Sequence, residues 1–408
     1  MCAQLVLVLS PKTKTMKFLL TFSSFFVFIQ ISFGQLQPGF IPQEAKEMIQ
    51  LCNSFTYLDL EGDDSAIIPK GYKKVYTSPS LGMDNKFQVY TKGTTAAINF
   101  RGSTANKFSW LANMYSEMLP IEGEIEVDHI TFNYKMGKDT ASSIHSGYTL
   151  ALAFLHQDLL AQIKKLNEKG IYDIYITGHS QGGSLAVLSR AYLAHVSSKD
   201  LDPRNNFKVY AFAMPMVGNK SFVNEYNKAF SIPEMSYAMV NPEDLVPSMP
   251  LSYNDSTFIR ENISKMMSNN MDLDKSQFMK EGMVILFQSQ FKDLVTKFSS
   301  SIKTQLTGEY GEIVAPKAKD GINFAQIGNV LQLPPPVYPL ELKDSTILDN
   351  PEFLKTHPRD KKGIFEDKSV YKKTSMSLHH KPYNYYTAIL KTYFPKEYDR
   401  IEPKYFGL

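Results

Sequence analysis

The stretch Tyr172-Asp-Ile-Tyr-Ile-Thr-Gly178-His179-Ser180-Gln181-Gly182-Gly183-Ser-Leu-Ala-Val187 constrains this chain more than any other. An apolar, β-branched run carrying Ile174, Ile176 and Thr177 leads directly into Gly-x-Ser-x-Gly, and helix-forming residues follow from Leu185 to Ala194. Strand, tight turn and helix in that order make Ser180 a candidate nucleophile. A serine that exposes its Oγ in this way sits on a sharp, strained turn, so Gly178 and Gly182 are expected where a Cβ would collide. The helix beginning just after Ser180 aims unpaired N–H groups and its positive dipole end at the point where an oxyanion would develop. A Gly/Ser-rich loop without chemistry could share the five-residue pattern; the strand before it and the helix after it favour the nucleophile.

Composition sets outer bounds. At 408 residues and 43% hydrophobic content the chain can bury a large core, and 27 Phe and 23 Tyr suit a thick one. The net charge of +3 is small for this length and no Lys/Arg block stands out, so nothing points to nucleic acid. At the N-terminus, Met16-Lys17 precedes an almost wholly apolar run from Phe18 to Phe33, and Ser32-Phe33-Gly34 precedes Gln35. Charge, apolar stretch and small residues in that order predict a secretory signal cleaved after Gly34, with Met16 as the start and residues 1–15 as an upstream extension. The apolar run falls short of the about 20 residues a spanning helix needs, so no stable transmembrane anchor is expected. The location expected is therefore exported: secreted, periplasmic or in the cell envelope. Cleavage would remove Cys2 and leave Cys52 without a disulfide partner. Cys52 falls in an apolar helical pattern with Ala45, Met48, Ile49 and Phe55, which marks it as a core residue.

Periodicity divides the chain into alternating elements. Residues 43–60 read as a helix, and Phe87–Thr91 and Ala96–Phe100 as a hairpin through Lys92-Gly93. Tyr148–Asn167 is a long helical pattern closed at Gly170, followed by the turn at Ser180. Phe207–Met214 and Met235–Val240 read as buried strands, so the fold class is α/β with a mainly parallel twisted sheet flanked by helices. Residues 35–408 are expected to form a single domain with a large helical, cap-like insertion at about 252–343. Within it, 261–303 is amphipathic and carries Met266, Met267, Met271, Met279 and Met283, and Leu333-Pro334-Pro335-Pro336 ends it stiffly. It reads either as a helical subdomain packed on the core or as a mobile cap, since methionine repacks easily on apolar ligands.

A serine hydroxyl needs a base, and the base needs an acid to orient it. Asp244, in Asn241-Pro242-Glu243-Asp244-Leu245-Val246-Pro247, lies just past a strand end, where catalytic groups of parallel sheets gather; Glu243 is its rival. Downstream, the base could be His379, His380 or His357, and position alone does not choose among them.

Several motifs together resemble the class 3, fungal-type lipase family of α/β-hydrolases. Ile98-Asn99-Phe100-Arg101-Gly102-Ser103 resembles the family's strand ending in Arg-Gly-Thr/Ser, with Trp110 at the usual distance. His145-Ser146-Gly147-Tyr148 resembles its His-x-Gly-Phe, and Phe212-Ala213-Met214-Pro215-Met216-Val217-Gly218-Asn219 its Phe-Gly-x-Pro-Arg-Val-Gly-Asn. Asn241 to Pro250 resembles its acid loop. The resemblance covers roughly residues 95–250.

The resemblance implies a Ser180–Asp244–His380 triad, with His380 preferred over His379 because Tyr385 follows at the head of a last helix. It implies an oxyanion hole from the backbone N–H groups of Ser103 and Gln181, and no cofactor or metal. His145 and Trp110 match positions that look structural. The implied activity is carboxylic-ester hydrolysis on a lipid or other ester substrate, which can be met at a lipid–water interface. An esterase or phospholipase acting on the same bond type is the nearest alternative, and a silent lipase-like binding module a more distant one. Gln181 stands where the family commonly has Leu, and the gap from Asp244 to His380 is much longer than is common. The covering segment is therefore left open between about 104–125 and 261–303.

Overall fold

The computed structural model describes residues 36–58, 67–250, 292–319, 323–336, 338, 340–361, 363–372 and 376–405. The signal-like segment and the methionines of 261–291 lie outside the described residues. The central sheet has seven strands whose spatial order follows the chain: β1 (Lys73–Thr77), β2 (Phe87–Lys92), β3 (Thr95–Phe100), β4 (Asp173–His179), β5 (Asn206–Phe212), β6 (Ser236–Val240) and β7 (Val330–Gln332). β1–β2 and β2–β3 are antiparallel, the latter being the expected hairpin, and every pairing from β3 to β7 is parallel. The mainly parallel α/β class read from the sequence therefore holds.

Period two divides the strands between two cores. Ile98, Ile174, Ile176, Val209 and Ala211 point to one face, where they meet Leu152, Leu155, Leu185 and Leu188. These leucines belong to α3 (Ser146–Glu168) and α4 (Gln181–Leu193), which follow α1 (Pro42–Leu58) and α2 (Lys107–Met114) in the chain. Ala97, Tyr175, Tyr210, Phe212 and Met239 point to the other face, against Ala45, Met48 and Ile49 of α1 and Tyr385 and Ile389. Cys52 belongs to this second core, its Sγ 3.4 Å from Asn99 Oδ1, and burial pushes its thiol up to about 12. Glu44 fixes α1 to the sheet: its carboxylate accepts from buried Lys208 Nζ at 2.6 Å, Tyr210 OH at 2.6 Å and Tyr175 OH at 2.7 Å. A buried lysine is tolerated only with such a partner.

Two stretches differ from the sequence reading. β7 falls inside the stretch read as a helical insertion and completes the sheet by pairing with β6. A three-residue strand before Leu333-Pro334 is too short to display alternation, which explains why periodicity missed it. In the 104–125 stretch the helix stops at Met114, while Met118 and Leu119 lie in a strand, Met118–Pro120, paired with Ser143–His145. Within 292–319, α5 (Lys292–Tyr310) buries Ile302 and Leu306 in the first core, and Tyr310 lies edge-on to Phe108 of α2.

The turn at Ser180 depends on two close approaches. A Cβ on Gly178 would lie 2.2 Å from the Gly182 carbonyl, and one on Gly182 would lie 2.2 Å from the Phe100 carbonyl at the end of β3. Both obstacles are backbone and cannot rotate away. Gly182→Ala is expected to destabilise the fold by about 3 kcal/mol or more, a fall in Tm on the order of 5–10 °C, or to prevent folding. Thermal melts of the two proteins check this; an unchanged Tm would contradict the packing described.

Candidate active site

Ser180 follows the last residue of β4 and caps α4 with φ 58° and ψ −131°, a conformation that non-glycine residues adopt only when their surroundings impose it. Its N–H donates to the Phe212 carbonyl at 2.9 Å, and its own carbonyl accepts from Gly183 N–H at 2.9 Å. Strand pairing and helix entry thus fix the residue from both sides. The side chain meets His380 Nε2 at 2.9 Å, and His380 Nδ1 lies 2.8 Å from Asp244 Oδ2. A carboxylate only accepts, so Nδ1 carries the proton and Nε2 is left to accept from the serine hydroxyl.

Asp244 follows β6, and its side chain is almost fully buried. Its Oδ1 accepts from Val246 N–H at 3.0 Å, and its Oδ2 also accepts from Tyr385 OH at 2.8 Å. Burial first, and the Asp244 charge second, hold the Tyr385 phenol well above its ordinary range, so it remains a donor. Tyr385 sits on α7 (Pro382–Tyr393), which follows the short α6 (Met376–His380) carrying both histidines. Its hydroxyl also accepts from Asn241 N–H at 3.0 Å, joining the end of β6 to α7.

The structure separates the other candidates. His379 turns away from Ser180: Asn241 Nδ2 donates to its carbonyl at 3.2 Å, and its ring stands perpendicular to Tyr338. Glu243 is exposed, and its contact with the acid loop is its N–H on Asn241 Oδ1. His357 stacks on Phe353 at a centroid distance of 3.8 Å. His179 lies beneath His380, with centroids 4.7 Å apart. Burial, and next the charge of a protonated His380, hold His179 well below the ordinary histidine range. It is therefore a neutral floor under the relay.

Ser103 stands three residues past Phe100, the last residue of β3, close to the turn at Ser180; a Cβ on the intervening Gly102 would lie 2.8 Å from the His179 carbonyl. Arg101 anchors this loop by pairing with Asp84 at 2.8 Å. Gln181 opens α4, where the helix gives its N–H no internal partner. Sequence reading assigned nothing to the Gln181 side chain, which is buried and accepts from Ser103 Oγ at 2.9 Å, nor to Tyr385's hydroxyl. The sequence marks Tyr385 only as an aromatic following the histidine. His145 accepts from Tyr148 N–H through Nδ1 and stacks on that ring at 3.9 Å, which makes it a helix cap. Among the described residues, no group of three or more His, Cys, Asp or Glu side chains converges to hold a metal ion, and no helix is long and apolar enough to cross a membrane.

A mainly parallel sheet with a serine on a strained strand-to-helix turn, hydrogen-bonded to a histidine and a buried aspartate, is the architecture of an α/β-hydrolase. Residues 97–254 match the family model described as lipase (class 3). A lipase of Caenorhabditis elegans is 34% identical over 87 residues, covering 21% of this chain and 23% of the relative. A secreted mono- and diacylglycerol lipase of Malassezia restricta is 26% identical over 199 residues, covering 46% of this chain and 56% of the relative. The chain thus spans at most little more than half the length of these curated relatives. Among solved structures, the lipase of Rhizopus microsporus var. chinensis aligns at TM-score 0.39 and 20% identity, covering 52% of this chain and 71% of that one.

Buried neutral histidines make stability depend on pH. Burial lowers His145 to about 3 and holds His179 well below its ordinary value. Their contribution is complete above the unfolded-state value and is lost as pH falls, because the unfolded chain then takes up protons that the fold refuses. Each such histidine is expected to cost about 1.4 kcal/mol per pH unit below about 6.5. Tm should therefore fall steeply between pH 6.5 and pH 4.5 in melts at constant ionic strength; a flat Tm over that window would contradict the neutral burial.

Proposed function

We propose that this chain is a serine hydrolase of carboxylic esters, most closely a lipase acting on acylglycerols, working through Ser180, His380 and Asp244. The observation that carries the reading is the continuous relay from Ser180 Oγ to His380 Nε2 at 2.9 Å and from His380 Nδ1 to Asp244 at 2.8 Å. As Ser180 attacks an ester carbonyl, its proton passes to Nε2, and Asp244 stabilises the imidazolium and holds its ring. The tetrahedral oxyanion is received by the backbone N–H groups of Ser103 and Gln181. Collapse expels the alcohol with the proton from His380, leaving an acyl-enzyme. Water, deprotonated by the same imidazole, then releases the acid. No step requires a metal or cofactor.

The acylglycerol reading is supported by the family match and by relatives from Malassezia restricta and Fusarium solani described as secreted mono- and diacylglycerol lipases. Those names, with the segment Met16–Gly34, also support export. A phospholipase or soluble-ester esterase would share this mechanism and differ in head group and chain length.

Hydrolysis of p-nitrophenyl butyrate and palmitate by wild type and Ser180→Ala tests the reading. Wild type should turn over, and Ser180→Ala should lose about 10⁴-fold or more in kcat. His380→Ala should lose a similar factor and His379→Ala less than about tenfold. Activity surviving Ser180→Ala would overturn the mechanism, and an inactive wild type would favour a lipase-like binding module. A preference for palmitate over butyrate would favour the lipase over the short-ester esterase.

A further inference from the structure

We propose that the Gln181 side chain is a positioning residue that ties Ser103 to the elbow, so that one residue supplies one oxyanion donor and fixes the place of the other. The inference rests on the ester-hydrolase reading above. Gln181 is 1% exposed, and its carboxamide lies within a chain of hydrogen bonds whose directions settle one another. Asn85 donates through Nδ2 to the Gly82 carbonyl, so its Oδ1 is the acceptor that meets Gln181 Nε2 at 3.1 Å. That orients Gln181 Oε1 toward Ser103, whose hydroxyl donates to it at 2.9 Å. Ser109 Oγ approaches the same oxygen at 3.4 Å.

On its other side, Ser103 Oγ accepts from Asn113 Nδ2 at 2.8 Å, and Asn113 Oδ1 in turn accepts from Tyr148 OH at 3.0 Å. Both amides are therefore fixed by their outer partners, and the Ser103 proton is committed to Gln181. The hydroxyl consequently acts as a strut and not as a further donor to the oxyanion. The strut matters because Ser103 lies in an irregular loop between β3 and α2, whereas Gln181 is set by the helix. The loop's other supports, Arg101 and Thr104, both bond Asp84, the neighbour of Asn85. Segment 84–85 therefore braces both sides of the hole. An apolar residue of similar length at 181 would keep the backbone donor and release Ser103.

The test compares wild type, Gln181→Met, Ser103→Ala and the double variant on p-nitrophenyl butyrate, with active serines counted by organophosphonate titration. Ser103→Ala keeps the backbone N–H and removes only the strut. Each single variant should lose about tenfold in kcat per titrated site, with KM within about twofold. Affinity for an alkyl boronic acid, which mimics the tetrahedral state, should fall in parallel. The double variant should be no slower than the slower single, because both changes remove one interaction. Full kcat per titrated site in Ser103→Ala and Gln181→Met, or losses that multiply in the double variant, would overturn the proposal. If Gln181→Met fails to fold, Ser103→Ala decides alone. A wild type without esterase activity would overturn the underlying hydrolase reading instead, and this one with it.

Discussion

Ser180 is held at positive φ by contacts that begin far from it in sequence. Its N–H is bonded to Phe212 of β5, and the glycines on either side of it exist because the carbonyls of Gly182 and Phe100 leave no room for a Cβ. Such a conformation costs on the order of 1–3 kcal/mol and persists only where the surroundings overdetermine it. Here they do: parallel pairing of β4 with β3 and β5 sets the strand, and the buried leucines of α4 set the helix. Everything proposed for the chemistry follows from that turn. It lifts Oγ toward His380 and starts α4 at Gln181, and the end of β3 packs against it, beside the proposed oxyanion hole of the Ser103 and Gln181 N–H groups.

The relay has the opposite problem, a carboxylate taken out of water. Three donors converge on the Asp244 carboxylate: Val246 N–H, Tyr385 OH and His380 Nδ1. Each buried carboxylate oxygen therefore has a hydrogen-bond partner. His179 beneath the imidazole is buried and neutral, so a transient charge on His380 meets an uncharged ring below and a carboxylate in front. Tyr385 also bonds Asn241, which places the acid loop and the last helix in one network.

What the sequence revealed was local. The elbow, the hairpin through Gly93 and the helix ending near Gly170 announce themselves through period and glycine placement over short windows. Asp244 was legible from its place after a strand and from family resemblance. The choice between His379 and His380 was not legible from position, because adjacent helical residues point about 100° apart and only packing tells which one faces the serine. Tyr385 reaches Asp244 across 141 positions and Gln181 reaches Ser103 across 78, distances over which no periodicity carries information. β7 was missed for a different reason: three residues cannot show an alternation.

The central claim is that Ser180 carries the acyl group between two half-reactions. Its most direct test is acid quenching during turnover of p-nitrophenyl butyrate, followed by peptide mass spectrometry of the trapped protein. The account predicts a butyryl adduct on the peptide containing Ser180, accumulating to less than one per chain and absent when His380 is replaced by alanine. Turnover with no adduct on that peptide, or with the butyryl group on another residue, would contradict it.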